Sequence, residues 1–155
     1  MDTTFEISLL TATAFTGILC GASLDQSFKQ LPARHRIGVL AYSAYVKAAD
    51  LKNGVAWYAI IGIGSLLTTT ITAFLVWQNN QATNFSTPIY AAAIFAVCHS
   101  ICTSQAAPTF FKTKGVSDEQ SLTKLFNKFA IIQTIRSTFI VLNFISLLWA
   151  LYIAL

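Results

Sequence analysis

Two residues in the second half of the chain, His99 and Arg136, have side chains suited to acid–base chemistry. Histidine accepts or donates a proton near neutral pH. Arginine stays charged and can hold an anion that forms during a reaction. We therefore expect both to be catalytic, with His99 abstracting a proton from an acidic carbon or phenol and Arg136 stabilising the product anion.

Arg136 lies in a stretch, residues 125–155, that is almost wholly apolar. About 20 apolar residues in a helix cross a bilayer core of about 30 Å. An arginine near the middle of such a helix costs at least about 2.5–3.5 kcal/mol, so it normally faces the protein interior. The alternative is that Arg136 and His99 only hydrogen-bond to backbone carbonyls or to Gln105 and fix the register of the helices.

The depth of these two residues along their helices is similar. His99 is eleven residues beyond Pro88, or about 16 Å at 1.5 Å per residue. Counting from Phe126 places Arg136 at a comparable depth on an antiparallel helix. Polar residues near them on the predicted inner faces are expected to bind the substrate: Asp25, Gln105, Gln133 and Asn143.

The composition indicates the kind of scaffold that holds these residues. Of 155 residues, 55% are hydrophobic and only 10% are charged, whereas about a quarter are charged in soluble domains. Uncharged runs predict transmembrane spans at residues 5–24, 54–77 and 88–107, with 125–155 as the fourth. We expect a single all-α membrane domain, residues 1–155, folded as a four-helix transmembrane bundle.

An additional helix is predicted between the first two spans. Leu31-Pro32 should end any continuation of the first span. After it, apolar residues recur at helical spacing on one face and polar residues lie on the other. The apolar face comprises Ile37, Leu40, Ala41, Ala44, Tyr45 and Ala48, and the polar face Ser43, Lys47 and Asp50. Lys47 and Asp50 can pair, and the helix is expected to be amphipathic and cytoplasmic.

Basic residues define the predicted orientation. Nine of the ten lie in the first and third loops, and the second loop has none. By the positive-inside rule, loops 1 and 3 are cytoplasmic and both termini lie outside. Binding to lipid headgroups explains this charge better than binding to nucleic acid, which we do not expect. Ser117 and Gln120 form a capping-box pattern that predicts the start of the fourth helix near Asp118.

The cysteines do not indicate a metal site. Cys98 and Cys102 share a helix face, but His99 is displaced around the helix and no second ligand pair is visible. The three cysteines all lie in predicted spans and form no disulfide framework. We expect neither a metal nor another cofactor.

The chain resembles the anthrone-oxygenase-like four-helix integral membrane proteins. The resemblance rests on a small-residue first span, a polar stretch ending in proline (Thr103 to Pro108) and an aromatic, asparagine-bearing approach to an arginine (Phe126 to Arg136). Most members of that family have no assigned function. The resemblance implies oxygenation of a lipophilic aromatic substrate without metal or flavin, in which the deprotonated substrate reacts directly with dioxygen.

Other interpretations stay open at this point. The chain could be a non-catalytic membrane module, either a carrier of a hydrophobic ligand or a subunit of a larger complex that packs through Gly17 and Gly21. Its size and span count also match the glutathione-transferase-type membrane trimers, although their Arg and Glu motif is not found here. The expected partners are the lipid bilayer, a lipophilic small molecule and a second membrane protein or another copy of the chain.

Overall fold

The computed structural model describes residues 3–79 and 83–154, and all regular structure in these ranges is helical. The α-helices are α1 (Thr3–Asp25), α2 (Leu31–Ile37), α3 (Val39–Ala48), α4 (Asn53–Gln78), α5 (Thr83–Phe111) and α6 (Glu119–Ala154). A π-helical turn, Gln26–Gln30, joins α1 to α2, and a 3-10 turn, Lys112–Gly115, comes directly after α5. The predicted all-α class is confirmed.

Four helical segments are long and apolar enough to cross a membrane: Thr3–Ile37, Asn53–Gln78, Phe85–Gly115 and Glu119–Ala154. Each contains one of the four predicted spans and extends beyond it, except that Leu155, the end of the fourth prediction, lies outside the described residues. The same holds for Met1 and Asp2 at the predicted outer terminus and for residues 80–82 of the second loop. The chain thus has the form of a multi-pass membrane protein.

Each of the four long helices packs against two others. The first, α1, contacts α4 and α6, and α5 likewise contacts α4 and α6. Three layers of buried apolar side chains fill the bundle. One layer near the chain termini includes Phe5, Ile89 and Leu147. A central layer includes Leu19 and Ile140, and a third, near the basic loops, is built around Tyr42, Leu122 and Phe126.

Small and hydroxyl-bearing residues bring α1 close to its two neighbours. A Cβ atom added to Gly17 would lie 2.9 Å from the ring of Phe144, and one added to Gly64 would lie 2.6 Å from the ring of Phe15. Thr16 and Ser65 hydrogen-bond between α1 and α4, with 2.8 Å between their hydroxyl oxygens. Gly17 therefore packs inside this chain.

The outer surface of the bundle is apolar. Large side chains exposed along α4 include Ile60, Leu67 and Phe74, and α6 exposes Ile135 and Trp149 among others. A helix that is apolar on all sides belongs in a core or in a membrane. Lipid is therefore the solvent that suits this surface.

The prolines interrupt the helices less than we predicted. Pro88 and Pro108 both lie inside α5, which begins at Thr83 and continues to Phe111. Pro32 lies in the first turn of α2, where a missing backbone N–H costs little. The prediction that Leu31-Pro32 ends the helical path was wrong. The path ends instead at Gly38, whose φ of 87° favours glycine.

The face of α3 that packs against the protein also differs from the prediction. Tyr42, Ser43 and Val46 are buried, whereas Leu40 and Tyr45 are exposed. Periodicity identifies an apolar face but does not indicate whether protein or lipid covers it. Ser43 was assigned to the polar, exposed face, but it is buried. The predicted pairing of Lys47 with Asp50 is replaced by a bond from the Lys47 ammonium to the carbonyl oxygen of Val116, at 3.1 Å.

The cap of α6 is Asp118 and not Ser117. The Asp118 Oδ1 atom accepts a hydrogen bond from the backbone N–H of Ser121 at 2.8 Å, which is the usual geometry of an N-terminal cap. This bond lowers the pKa of the Asp118 carboxyl below its ordinary value of 3.8. Ser117 is exposed.

We predict that Asp118→Ala lowers the thermal midpoint of the protein and that the matched variant Ser117→Ala does not. Because the pKa of Asp118 is depressed in the folded state, its contribution is present above pH 3.8 and is lost as the pH falls through the folded-state pKa. The measurement is thermal unfolding followed by circular dichroism at neutral and acidic pH. Equal midpoints for Asp118→Ala and wild type would contradict this assignment of the cap.

Candidate functional site

A cavity of about 400 Å³ lies inside the bundle, in the half nearest the basic loops. Its wall includes Leu19 of α1, Tyr58 of α4, Thr103 of α5 and Phe129 of α6, so all four long helices contribute. Most of its lining is apolar, with a few polar side chains. A cavity of this size and character is typical of sites for small organic ligands.

Arg136 is in the wall of this cavity without a carboxylate partner. Its Nη2 atom donates a hydrogen bond to the Oε1 atom of Gln26 at 3.0 Å, and its Nε atom has no hydrogen-bond partner. In the described parts of the chain, the one ion pair joins Lys29 to Asp25. The half-buried guanidinium thus carries a positive charge that no carboxylate of residues 3–79 or 83–154 balances in an ion pair. Such a group attracts an anion.

Gln26 is a site residue that the sequence analysis missed. It is buried in the π-helical turn after α1, and it also lines the cavity. A π-helical turn changes the direction in which its side chains point, and such turns are frequent at functional sites. One feature of the sequence could have identified Gln26. It is a polar residue directly after Asp25, next to the predicted end of the first span.

His99 meets Arg136 through the arginine backbone. The Nδ1 atom of His99 is 3.1 Å from the carbonyl oxygen of Arg136. A carbonyl oxygen only accepts, so Nδ1 carries the proton in this contact. In the neutral ring this leaves Nε2, on the other side of the imidazole, as the basic nitrogen. His99 is buried and lines the cavity.

Asp50 is a second residue of the cavity wall that the sequence analysis did not assign to the site. It lies in the turn before α4 and is 9% exposed. Its Oδ2 atom has no hydrogen-bond partner, and burial raises the pKa of its carboxyl. We had expected Asp50 on a polar face, paired with Lys47. It is buried instead in the turn between α3 and α4, in the wall of the cavity.

Two of the predicted substrate-binding residues face away from the cavity. Asp25 pairs with Lys29 and accepts a hydrogen bond from Gln30 at 2.6 Å, in a partly exposed position at the end of α1. Gln105 is exposed on α5. The polar residues of α5 were all expected inside, but a helix distributes consecutive residues around its axis, and Gln105 falls on the outer face.

Gln133 is fully buried in a hydrogen-bond cluster between α1 and α6. Its Nε2 atom lies 3.1–3.2 Å from the hydroxyls of Ser23, Ser27 and Ser137 and from the carbonyl oxygen of Ser23. The Ser27 and Ser137 hydroxyls are 2.7 Å apart. This cluster uses the Gln133 amide to join helices, so Gln133 is not part of the cavity wall.

Asn143 is also completely buried, and neither polar atom of its side chain has a hydrogen-bond partner. It lies seven residues beyond Arg136, or about 10 Å further along α6. That distance separates it from the cavity, whose lining on α6 consists of Phe129 and Arg136. Of the six predicted site residues, the structure therefore brings together His99 and Arg136.

Residues 3–79 and 83–154 contain no group of three or more His, Cys, Asp or Glu side chains that could hold a metal ion. Cys20 is buried, Cys98 and Cys102 are half-buried, and all three are free thiols.

Part of the cavity rim lies on the outer surface of the bundle, between α4 and α5. Ile63 lines the cavity and is also 59% exposed, and Val55 and Phe111 share both properties. The exposed side of these residues belongs to the apolar outer surface of the bundle.

Comparisons with known proteins found no match: no family model, no curated protein and no solved structure is similar to this chain.

Proposed function

We propose that this chain is a multi-pass membrane protein whose cavity binds a lipophilic weak acid and promotes its ionisation. The observation that carries the proposal is the Arg136 guanidinium, which lines an apolar cavity without a carboxylate partner. A charge in such surroundings costs several kcal/mol unless a counter-charge is present. An ionised ligand supplies that counter-charge.

His99 and Arg136 divide the work in this proposal. The Nε2 atom of His99 accepts the proton of the bound acid, while its Nδ1–H bond to the Arg136 carbonyl holds the ring in place. The anion that remains is stabilised by the guanidinium, which Gln26 orients. Ionisation of the bound acid is favoured because His99, which accepts the proton, and Arg136, which stabilises the anion, line the same cavity.

The resemblance to the anthrone-oxygenase-like membrane proteins suggests the reaction that the ionised substrate undergoes. A carbanion on an electron-rich aromatic substrate reacts with dioxygen to give a hydroperoxide, which loses water to leave a ketone. The overall change converts a CH₂ group and O₂ into a carbonyl group and H₂O. Neither a metal nor a flavin is needed, because the ionised substrate itself supplies the electrons.

We further propose an orientation for the protein. Nine of the ten basic residues lie within residues 29–52 and 112–128, at the cavity end, which favours the cytoplasm for that end and the opposite side for both termini. In this arrangement α2 and α3 form an amphipathic element at the cytoplasmic face. Their exposed Ile37 and Leu40 side chains then contact the lipid boundary.

A second candidate function is carriage of a lipophilic acid without chemical change. The rim residues exposed between α4 and α5 favour it, because a side opening allows a ligand to enter and leave within the bilayer. A subunit role through Gly17 and Gly21 has less support. The Gly17 surface is covered by Phe144, although Gly21 remains exposed with nothing within 4 Å of its Cβ position.

We predict that Arg136→Met weakens binding of dodecanoate by about tenfold or more, since a charge-assisted hydrogen bond contributes about 1.5–3 kcal/mol. Dodecanol, which has no charge, should bind equally to both proteins. The matched control is Arg36→Met, which removes an exposed arginine. Binding is measured by calorimetry on protein in nanodiscs. Equal dodecanoate affinity for wild type and Arg136→Met would contradict the proposal.

The same variants separate ligand binding from folding. Arg136 has no counter-charge to lose, so Arg136→Met should leave the thermal midpoint of the ligand-free protein unchanged or raise it. Arg34 is the contrasting case. It is buried but donates to the Leu31 carbonyl at 2.7 Å and to Asn127 at 3.2 Å, so Arg34→Met should lower the midpoint. The reverse order of midpoints would make Arg136 a structural residue.

We predict that His99→Asn abolishes catalysis without preventing binding. The asparagine amide can replace the Nδ1–H donor toward the Arg136 carbonyl, but it offers no basic nitrogen. Turnover of a hydroxylated anthrone should fall by about 10²–10⁴. Oxygen consumption and ketone formation are measured together, with dodecanoate affinity as the control for an intact site.

The outcomes distinguish the two candidate functions. Full turnover by His99→Asn would remove the histidine from the mechanism. No turnover by wild type, together with Arg136-dependent dodecanoate binding, would favour the carrier.

A further inference from the structure

The polar groups of the cavity lie in two separate places. Arg136, His99 and Gln26 form one group within the bundle. Asp50 belongs to the end near the basic loops, because it lies in the turn that precedes α4 and shares the wall with residues at the end of α5, Phe110 and Phe111. The rest of the wall is mainly apolar and also includes Tyr58, Ser100 and Thr103.

Nothing in the described parts of the protein accounts for the Asp50 carboxyl. Its Oδ2 atom is buried without a hydrogen-bond partner, and Lys47, its predicted partner, donates to the Val116 carbonyl oxygen instead. An unsatisfied buried polar atom costs about 1–3 kcal/mol. Asp50 and Arg136 line the same cavity but make no ion pair with each other. Each is thus available to a different part of a ligand.

We propose that Asp50 is a second polar anchor of the cavity, and that the ligand is a lipophilic acid with a hydroxyl group remote from its acidic head. This proposal rests on the proposed function, in which Arg136 holds the acidic head. The hydroxyl bonds to the Asp50 carboxyl, and the apolar body between the two groups contacts the apolar wall. The two anchors select for the distance between the polar groups of the ligand.

A hydroxyl suits Asp50 better than a cationic group does. A ligand amine would share the cavity with the Arg136 guanidinium and would be repelled by it. Burial raises the pKa of Asp50, so its carboxyl ionises less readily than that of a free aspartate and attracts a cation less strongly. A hydroxyl can donate to this carboxyl or accept from it.

The test compares fatty acids with ω-hydroxy fatty acids of equal chain length, from short to long, on wild-type protein and on Asp50→Leu in nanodiscs. At a chain length that spans the two anchors, we compare the Kd of the fatty acid divided by the Kd of the ω-hydroxy acid. This ratio should be about tenfold higher for wild type than for Asp50→Leu. Because the ratio is compared between proteins, the different partitioning of the two acids into lipid cancels. Asp50→Asn, which keeps a hydrogen-bonding side chain, should preserve most of the wild-type ratio.

Two controls keep the result decisive. In wild type and in each Asp50 variant, adding Arg136→Met should weaken binding of the unsubstituted acid, which verifies that the Arg136 site is still used. Asp50→Ala is measured in parallel, so the result does not depend on one substitution.

A ratio that is the same in wild type, Asp50→Leu and Asp50→Ala at every chain length would overturn the role of Asp50. If acid binding still depended on Arg136, the proposed function would survive that result. Binding of both acids that does not depend on Arg136 would overturn both proposals.

Discussion

An uncompensated positive charge inside an apolar bundle is the constraint on which the site depends. Among the residues that the structure describes, Arg136 makes no ion pair, and the neighbour that accepts a hydrogen bond from its guanidinium is neutral, the Gln26 amide oxygen. The π-helical turn at the end of α1 brings Gln26 to it, and the Gln133 and serine cluster fixes α1 against α6 at the same level. The helix contacts thus hold the guanidinium in the cavity wall, and an anion is the partner that the protein does not itself supply.

The sequence was sufficient to predict the four membrane spans, because long uncharged runs have few alternatives in a chain of this composition. The sequence was less informative about where each helix begins and ends. Pro32 was expected to end the first helical path, and Pro88 and Pro108 flanked the predicted third span, but all three lie within continuous helical segments. Proline disfavours the helical conformation of the preceding residue by an amount that tertiary packing can overcome, so its position alone does not define where a helix ends. The N-terminal cap of α6 also differs from the prediction, by one residue, since it is Asp118 and not Ser117.

At the site, the sequence predicted the pair His99 and Arg136 because an ionisable residue in a membrane span is conspicuous. It did not predict Gln26, which the π-helical turn brings into the cavity wall. It also did not predict Asp50, which lines the cavity from the turn before α4. Gln133 and Asn143 were correctly assigned to the inner face of α6 but lie outside the cavity. Periodicity gives the direction of a side chain around a helix axis. It does not distinguish a cavity from a packed contact on the same face.

The most direct measurement is the distance between a bound acid and the Arg136 guanidinium in the membrane. Dodecanoate labelled with carbon-13 at its carboxyl group would be bound to protein with nitrogen-15 arginine in lipid, and the dipolar coupling measured by solid-state NMR. We expect a coupling that corresponds to less than about 4 Å between the carboxyl carbon and a guanidinium nitrogen, as in a hydrogen-bonded pair, and its loss in Arg136→Met. Saturating binding with no such coupling, or a coupling that persists in the variant, would contradict the account.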